Sequence, residues 1–303
     1  MPTEQSRILA RRHYLTGLAI ALVGAILFST KAIVAKLIYR YNVDAVTLIC
    51  FRMAFSLPIF AAIAIWQMHK SGSLSKADRW RLVALGLVGY YLSSFLDFLG
   101  LQYISAGLER LILFLTPSFV LLISAFFLKR VVSKLEWAAL LVSYLGIVLV
   151  FFHDLKLGGD YVMLGSALVL GAAISYAIYL IQSGQLVQRL GSLRLVSYAM
   201  CVSSAACIGQ FFILRPASML VQPLAVYSLS IVNAIMCTVL PVFMTMIAVK
   251  RIGAATASQA GMIGPVSTLF LGTYFLGEPI TSWQMAGTVL VMGGMYLLSV
   301  KKT

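Results

Sequence analysis

The chain has 303 residues, of which 61% are hydrophobic and 11% are charged, and its mean hydropathy is +0.97. A soluble domain of this length could not bury so much apolar surface, so the composition excludes soluble classes and predicts an integral membrane protein. The net charge of +14 does not indicate a nucleic-acid partner. Its basic residues lie in short segments between apolar runs, where they act as membrane orientation signals.

Ten apolar runs follow one another along the chain, each close to the ~20 residues that cross the hydrocarbon core as a helix. They occupy residues 14–38, 45–68, 80–101, 104–128, 134–152, 161–184, 193–214, 223–249, 252–276 and 281–299. The first run is too long for a signal-peptide core and has no A-x-A-like site after it, so we expect it to be retained. The pattern predicts an all-α integral membrane protein with ten transmembrane helices.

The lysines and arginines outside these runs are distributed unequally between the two sides. With the N-terminus inside, and with the residues at the very ends of the runs included, 16 basic residues lie on the inner side, and Arg40, Lys156 and Arg215 lie on the outer side. Because positively charged loops remain in the cytoplasm, the sequence predicts that both termini are cytoplasmic.

Five spans in each half predict a repeat with inverted topology, because an odd number of spans reverses the second copy. An offset of 148 residues pairs residues of the two halves, among them Gly17 with Gly165, Phe95 with Phe243, Pro117 with Pro265 and Gly146 with Gly294. We expect residues 1–153 and 154–303 to form two inverted five-helix repeats around a central cavity. Such repeats suit alternating access to a site near the midplane.

Pro117 and Pro265 each lie in the middle of a span, where proline removes a backbone hydrogen bond and bends the helix. We interpret both as hinge candidates, with a passive kink that allows helix packing as the alternative. The carbonyls freed near residues 113 and 261 are expected to find water or a neighbouring helix.

Apart from the charged residues at the inner ends of the runs, six ionisable side chains lie inside spans, and all belong to the first half: Lys31, Lys36, Arg52, Asp97, Glu109 and Arg110. Ionisable groups at this depth are costly and mark functional sites. Two interpretations remain open. In the first, Asp97 and Glu109 neutralise two of the four cations, and the other cations, Lys36 above all, reach outward to water. In the second, a surplus cation (Lys31, Arg52 or Arg110) meets a substrate carboxylate, and Asp97 or Glu109 faces its ammonium.

Polar side chains on three further helical faces complete the predicted site. Tyr90, Ser94 and Asp97 share a face of span 3, Thr238 lies on the corresponding face of span 8, and Tyr176 and Tyr179 belong to span 6. Hydroxyls that bond only to their own helix are the alternative. The candidate substrate-binding residues are therefore Lys31, Arg52, Tyr90, Ser94, Asp97, Glu109, Arg110, Tyr176, Tyr179 and Thr238; no residues are predicted to hold a metal or a cofactor.

Pro117, Pro265 and the run Leu276-Gly277-Glu278-Pro279, followed by Gln284, Gly287 and Gly294, resemble the EamA family of the drug/metabolite transporter superfamily. The resemblance covers essentially the whole chain. The offset of 148 residues pairs Lys129 with Gly277 and Arg130 with Glu278, so the first half lacks this Gly-Glu pair. Within the family the chain resembles YddG-type bacterial amino-acid exporters. The resemblance implies a carrier in the bacterial inner membrane, a monomer or weak dimer, that releases aromatic and other neutral amino acids.

Other function classes fit the sequence less well. The three histidines lie in termini or loops, and no G-x-S-x-G or H-E-x-x-H motif indicates an intramembrane enzyme. A channel would need a charged ring or filter, which charges from one half do not provide. Efflux of drugs or cationic metabolites, nucleotide-sugar exchange and a non-transport role remain as alternatives to amino-acid export. Without a nucleotide-binding motif the chain itself does not use ATP, and both passive uniport and proton antiport remain open.

Overall fold

The computed structural model describes residues 4–300 except 73, 128, 130, 159 and 160, so Arg130 of the family comparison lies outside the described residues. The described part is helical and contains no strand. Its helices are α1 (Glu4–Tyr39), α2 (Ala45–Ser71), α3 (Lys76–Gly86), α4 (Ser93–Leu101), α5 (Ala106–Phe114), α6 (Thr116–Phe127), α7 (Lys134–Gly158), α8 (Val162–Leu190), α9 (Ser192–Leu214), α10 (Leu224–Ala234), α11 (Leu240–Ala260), α12 (Ile263–Leu271) and α13 (Ser282–Val300). A short 3-10 helix (Ala217–Leu220) precedes α10.

Eight helical segments are long and apolar enough to cross a bilayer, which supports a multi-pass membrane protein. They are Arg12–Tyr39, Ala45–Lys70, Lys76–Leu101, Ala106–Phe127, Lys134–Lys156, Val162–Gly184, Ser192–Leu214 and Leu224–Gly253. The predicted ninth span corresponds to a shorter apolar helix, Ile263–Leu276, and the tenth to the 19 residues of α13. Ten spans and cytoplasmic termini therefore stay predictions.

The positions of α1 and α13 allow the two faces of the bundle to be named. Arg40, just after α1, donates a hydrogen bond to the Leu276 carbonyl (2.9 Å), shortly before α13 begins. Hence α13 starts at the end of the bundle where α1 finishes and returns to the end where α1 starts. We call the end that carries the start of α1 and the end of α13 the termini face, and the opposite end the distal face.

Wide, π-helical turns lie at equivalent places in the two halves. Leu87–Leu92 joins α3 to α4, Ile235–Val239 joins α10 to α11, and their starting residues are 148 positions apart. Tyr90 and Thr238, which the same offset pairs, thus lie within corresponding turns. The helix α7 continues to Gly158, past residue 153, so the division into residues 1–153 and 154–303 stays a prediction.

The span that contains Pro117 is interrupted just before the proline. α5 ends at Phe114 and α6 begins at Thr116. The Thr116 hydroxyl donates to the Leu113 carbonyl at 2.7 Å. The expectation that this carbonyl needs water or another helix is wrong, because a hydroxyl one turn away in the same segment already reaches it.

The span that contains Pro265 is interrupted in the same way. α11 ends at Ala260 and α12 begins at Ile263. The Gly264 amide donates to the Gly261 carbonyl at 3.0 Å. Here too a local bond replaces the partner expected from a neighbouring helix, because the chain tightens into a turn before the proline. Both breaks provide the geometry of a hinge, and the hinge role itself stays a proposal.

Packing is tighter at the distal face than at the termini face. All residues from Ala106 to Ile112 in α5 are buried, whereas only Thr116, Ser118 and Leu121 are buried in α6. The fully buried large side chains of the distal half include Ile38, Leu48, Ile49, Phe98 and Leu101. Among the described residues, large side chains are thus buried more completely toward the distal face than toward the termini face.

Lys129, which stands at the position of Gly277 in the repeat, holds a left-handed backbone. Its φ is +53°, and that of Gly277 is +73°. Only glycine adopts this region without cost, so Lys129→Gly is expected to raise the free energy of unfolding by about 1 kcal/mol. Thermal unfolding in detergent measures this. Lys129→Ala removes the charge but not the strain, and equal stabilisation by alanine would contradict the backbone explanation.

Candidate functional site

A cavity of about 340 Å³ lies inside the bundle at the level of the wide turns. This volume is within the ~300–1,000 Å³ of small-molecule sites. Eight of the ten predicted binding residues line it, and Pro117 lies beside them: Lys31, Arg52, Tyr90, Ser94, Asp97, Arg110, Tyr176 and Thr238. Most of the remaining wall is apolar and includes Phe28, Leu113, Phe114, Leu180, Met200 and Val242.

Three residues singled out from the sequence do not line this cavity. Glu109 is buried behind Lys31 and is 1% exposed. Tyr179 lines a separate groove, with its hydroxyl 3.2 Å from that of Tyr90, so it supports the wall from outside. Pro265 is buried within α12.

Lys31 is the centre of a buried charge cluster. Its Nζ forms an ion pair with Asp97 and lies 3.2 Å from Glu109 Oε1. All three side chains are at most 6% exposed. The expectation that two carboxylates neutralise two cations is wrong, because both carboxylates contact the same ammonium. The long lysine side chain of α1 reaches the point where α4 and α5 bring their acidic groups together.

Arg52 is held by hydroxyl groups rather than by a carboxylate. Its Nε donates to Thr238 Oγ1 at 2.8 Å, and its Nη1 donates to Ser94 Oγ at 3.4 Å. The Thr238 hydroxyl in turn donates to the Asn233 carbonyl at 3.0 Å, which leaves its lone pairs for the guanidinium. These hydroxyls orient the cation without neutralising it. Thr238 of the wide turn in the second half and Ser94 at the start of α4 thus hold Arg52 together.

Arg110 lines the cavity, and its guanidinium donates no hydrogen bond to any described residue. Its Cζ lies 5.0 Å from the centre of the Phe28 ring, over which it forms a cation–π contact. Among the described residues nothing forms a hydrogen bond to its buried Nε or an ion pair with its guanidinium. The guanidinium packs against the backbone of Gly264, where a Cβ atom would overlap it. The small residue before Pro265 therefore makes room for this cation.

The charges at the cavity do not balance. Lys31, Arg52 and Arg110 carry three positive charges and Asp97 and Glu109 two negative ones, so the formal sum is +1. Both carboxylates contact Lys31, and within the described chain no carboxylate lies within ion-pair distance of either guanidinium. A guanidinium in this state is suited to bind a carboxylate through paired hydrogen bonds. The arrangement can hold one small anionic group beside an aromatic wall.

Glu278 has a structural role that the sequence pattern did not reveal. Its carboxylate accepts hydrogen bonds from the Ala106 amide at 3.2 Å and lies 3.9 Å from Lys36 Nζ. Lys36 reaches toward the distal face and is partly exposed there, and the Glu278 carboxylate lies beside its ammonium in addition to solvent. A negative charge also suits the N-terminus of α5. Glu278 thereby joins α1, α5 and the segment before α13 at the distal face.

Comparison with known proteins identifies the family of this chain. Residues 15–152 and 163–300 each match the model of the EamA-like transporter family, and the two matched segments begin 148 residues apart. The chain belongs to the EamA-like transporter family. The resemblance inferred from the sequence is thus confirmed, and this EamA-like chain is a membrane transporter built from two repeats.

Its curated relatives are themselves transporters whose names state no substrate. The chain is 31% identical to the uncharacterized transporter YcbK of Bacillus subtilis (strain 168), covering 97% of this chain and 94% of the relative. It is 27% identical to an uncharacterized transporter of Archaeoglobus fulgidus, over 83% of this chain and 87% of that protein. A protein crystal structure with 16% sequence identity aligns with a TM-score of 0.65 over 94% of this chain and 97% of the other chain, which shows a shared fold.

Proposed function

We propose that this EamA-like transporter is a secondary carrier that exports amino acids, mainly aromatic and other neutral ones. One observation carries the proposal: Arg52 and Arg110 line the cavity, and among the described residues no carboxylate lies within ion-pair distance of either guanidinium. A substrate carboxylate supplies the missing negative charge. The formal sum of +1 disfavours the alternative, efflux of drugs or other cations.

The proposed acceptor for the substrate ammonium is the carboxylate of Asp97, near these guanidiniums. Asp97 lines the cavity, and its Oδ1 has no hydrogen-bond partner among the described residues, although Oδ2 is paired with Lys31. The substrate side chain is expected to lie against the aromatic wall of Phe28, Tyr90 and Tyr176. This division of polar and apolar surface suits a zwitterion with an apolar or aromatic side chain.

We further propose the inner membrane as the location, with cytoplasmic termini, so that the tightly packed distal face is the outer one. The loosely packed termini face then admits substrate from the cytoplasm. Alternating access requires the two repeats to exchange these states, and the chain breaks before Pro117 and Pro265 are the proposed bending points.

Counterflow in liposomes that contain the purified protein tests this function. Vesicles preloaded with phenylalanine are expected to accumulate labelled phenylalanine, whereas empty liposomes are not. Phenylalaninamide and phenethylamine, which keep the ring and the amine but lack the carboxylate, are expected to compete at least about tenfold less well. Repeating the assay with an imposed pH gradient separates proton antiport from passive uniport.

The competing transport classes give different results in the same vesicles. Exchange of phenethylamine without exchange of phenylalanine would favour efflux of cations. Exchange of a nucleotide sugar without exchange of any amino acid would contradict the proposed substrate class. Both results would leave the assignment to a transporter family unaffected.

A further inference from the structure

A groove of about 450 Å³ lies between α3 and α8 near the termini face, separate from the central cavity. Arg81 and Arg189 stand at its mouth, and much of its wall is apolar, including Ala84, Leu85, Val88 and Leu186. Ala84 and Ile178 on its two sides are exposed, so the groove faces outward from the bundle. In a membrane this surface is covered by lipid.

The depth of the groove mouth is marked by a tryptophan. Trp80 precedes Arg81 and is 75% exposed. Exposed tryptophans of membrane proteins concentrate at headgroup level. Arg81 and the nearby Arg189 are therefore placed where the phosphate groups of the lipids lie.

The arginines at the mouth keep a positive excess. Arg189 forms an ion pair with Asp78, whose Oδ2 also accepts a hydrogen bond from the Ser75 hydroxyl at 2.8 Å. This pairing fixes Arg189 while its side chain remains 56% exposed. Arg81 has no carboxylate within ion-pair distance in the described part of the chain. The three charged groups sum to +1, and the guanidiniums retain free N–H donors.

The wall extends inward from this mouth and is apolar except for Gln182 and the Tyr179 hydroxyl. Val88 follows Arg81 by seven residues and Ile178 precedes Arg189 by eleven, which corresponds to roughly 10 and 16 Å along the helices. An inorganic phosphate would leave this length of groove unfilled. A phospholipid fits both the basic mouth and the apolar part of the wall, because its phosphate is anionic and its acyl chain is apolar.

We propose that this groove is a binding site for an anionic phospholipid of the leaflet at the termini face. The phosphate lies between Arg81 and Arg189, and one acyl chain lies along Ala84, Val88 and Ile178. Tyr179 closes the inner end of the groove and contacts Tyr90 of the cavity wall. A bound lipid thus packs against the outer side of the wall that bounds the central cavity.

Native mass spectrometry of the purified full chain tests the proposal. The protein is titrated in detergent with phosphatidylglycerol or with phosphatidylcholine of identical acyl chains. We expect tighter binding of phosphatidylglycerol, and a loss of about fivefold in its affinity for Arg81→Gln and for Arg189→Gln. Ala84→Trp fills the exposed groove without changing charge and is expected to weaken the binding of phosphatidylglycerol.

Lys70→Gln is the matched control, since it removes one charge at the same face from the end of α2, away from the groove. It should leave the affinity for phosphatidylglycerol unchanged. An equal loss in this variant would show general attraction to a basic face and overturn the proposal. Displacement of the lipid by millimolar inorganic phosphate, or equal binding of the two lipids, would also overturn it. If Arg189→Gln destabilises the protein through Asp78, Arg81→Gln and Ala84→Trp still decide.

Discussion

Replacing Arg110 by glutamine is expected to lower amino-acid counterflow by about 10–100-fold, since a charge-assisted hydrogen bond contributes roughly 1.5–3 kcal/mol. The same change should leave the stability of the protein unchanged or higher. Arg110 forms no hydrogen bond or ion pair with any described residue, so its buried charge is a cost that the substrate offsets. Counterflow rates and thermal unfolding of the same preparation measure the two effects.

Two companion variants make this result specific. Arg110→Lys keeps the charge but not the paired donors and is expected to retain part of the activity. Lys70→Gln removes a positive charge outside the cavity and should transport at the rate of the unchanged protein. Unchanged transport by Arg110→Gln would contradict the role of Arg110. Lost stability together with lost transport would indicate that this arginine is structural instead.

Replacing Lys31 by methionine is expected to cause a large loss of stability, unlike the replacement of Arg110 by glutamine. Lys31 is the shared partner of Asp97 and Glu109, all of them nearly inaccessible to solvent. Removing it leaves two carboxylates buried beside each other without the one cation that contacts both, which costs roughly 3–5 kcal/mol. A lower thermal unfolding temperature and a smaller yield of folded protein in detergent measure this effect.

A double variant and a variant of a partly buried lysine control this experiment. Lys31→Met combined with Asp97→Asn removes one of the two stranded charges and is expected to recover part of the lost stability. Lys36→Met removes a more accessible lysine, 3.9 Å from Glu278, and should cost less than about 1 kcal/mol. Equal losses for Lys31→Met and Lys36→Met would show that the buried cluster has no special importance.

The sequence was informative about membrane insertion and about the position of the site along the chain. Lipid cannot hydrogen-bond to the backbone, so spans must be helical and apolar, and their pattern is visible without a fold. The same argument makes a charged residue within a span conspicuous. This is why Lys31, Arg52, Asp97 and Arg110 could all be named before their common cavity was known.

The pairing of those charges could not be predicted in the same way. Lys31, Asp97 and Glu109 belong to α1, α4 and α5, and their contact depends on how three helices are rotated and tilted against each other. Helical periodicity also places Tyr176 and Tyr179 on adjacent positions of one face. The cavity contacts only part of that helical face. Tyr176 therefore lines the cavity, whereas Tyr179 lines the groove between α3 and α8.

The sequence by itself determined that this chain is a helical membrane protein with an internal repeat and a set of costly buried charges, because hydropathy and periodicity are properties of each segment alone. Only the tertiary structure decided which charges neutralise one another. Both carboxylates meet Lys31, and Arg52 and Arg110 are left to the cavity. The physical reason is that an ion pair forms within about 4 Å, a distance that helix packing sets and that no single segment contains.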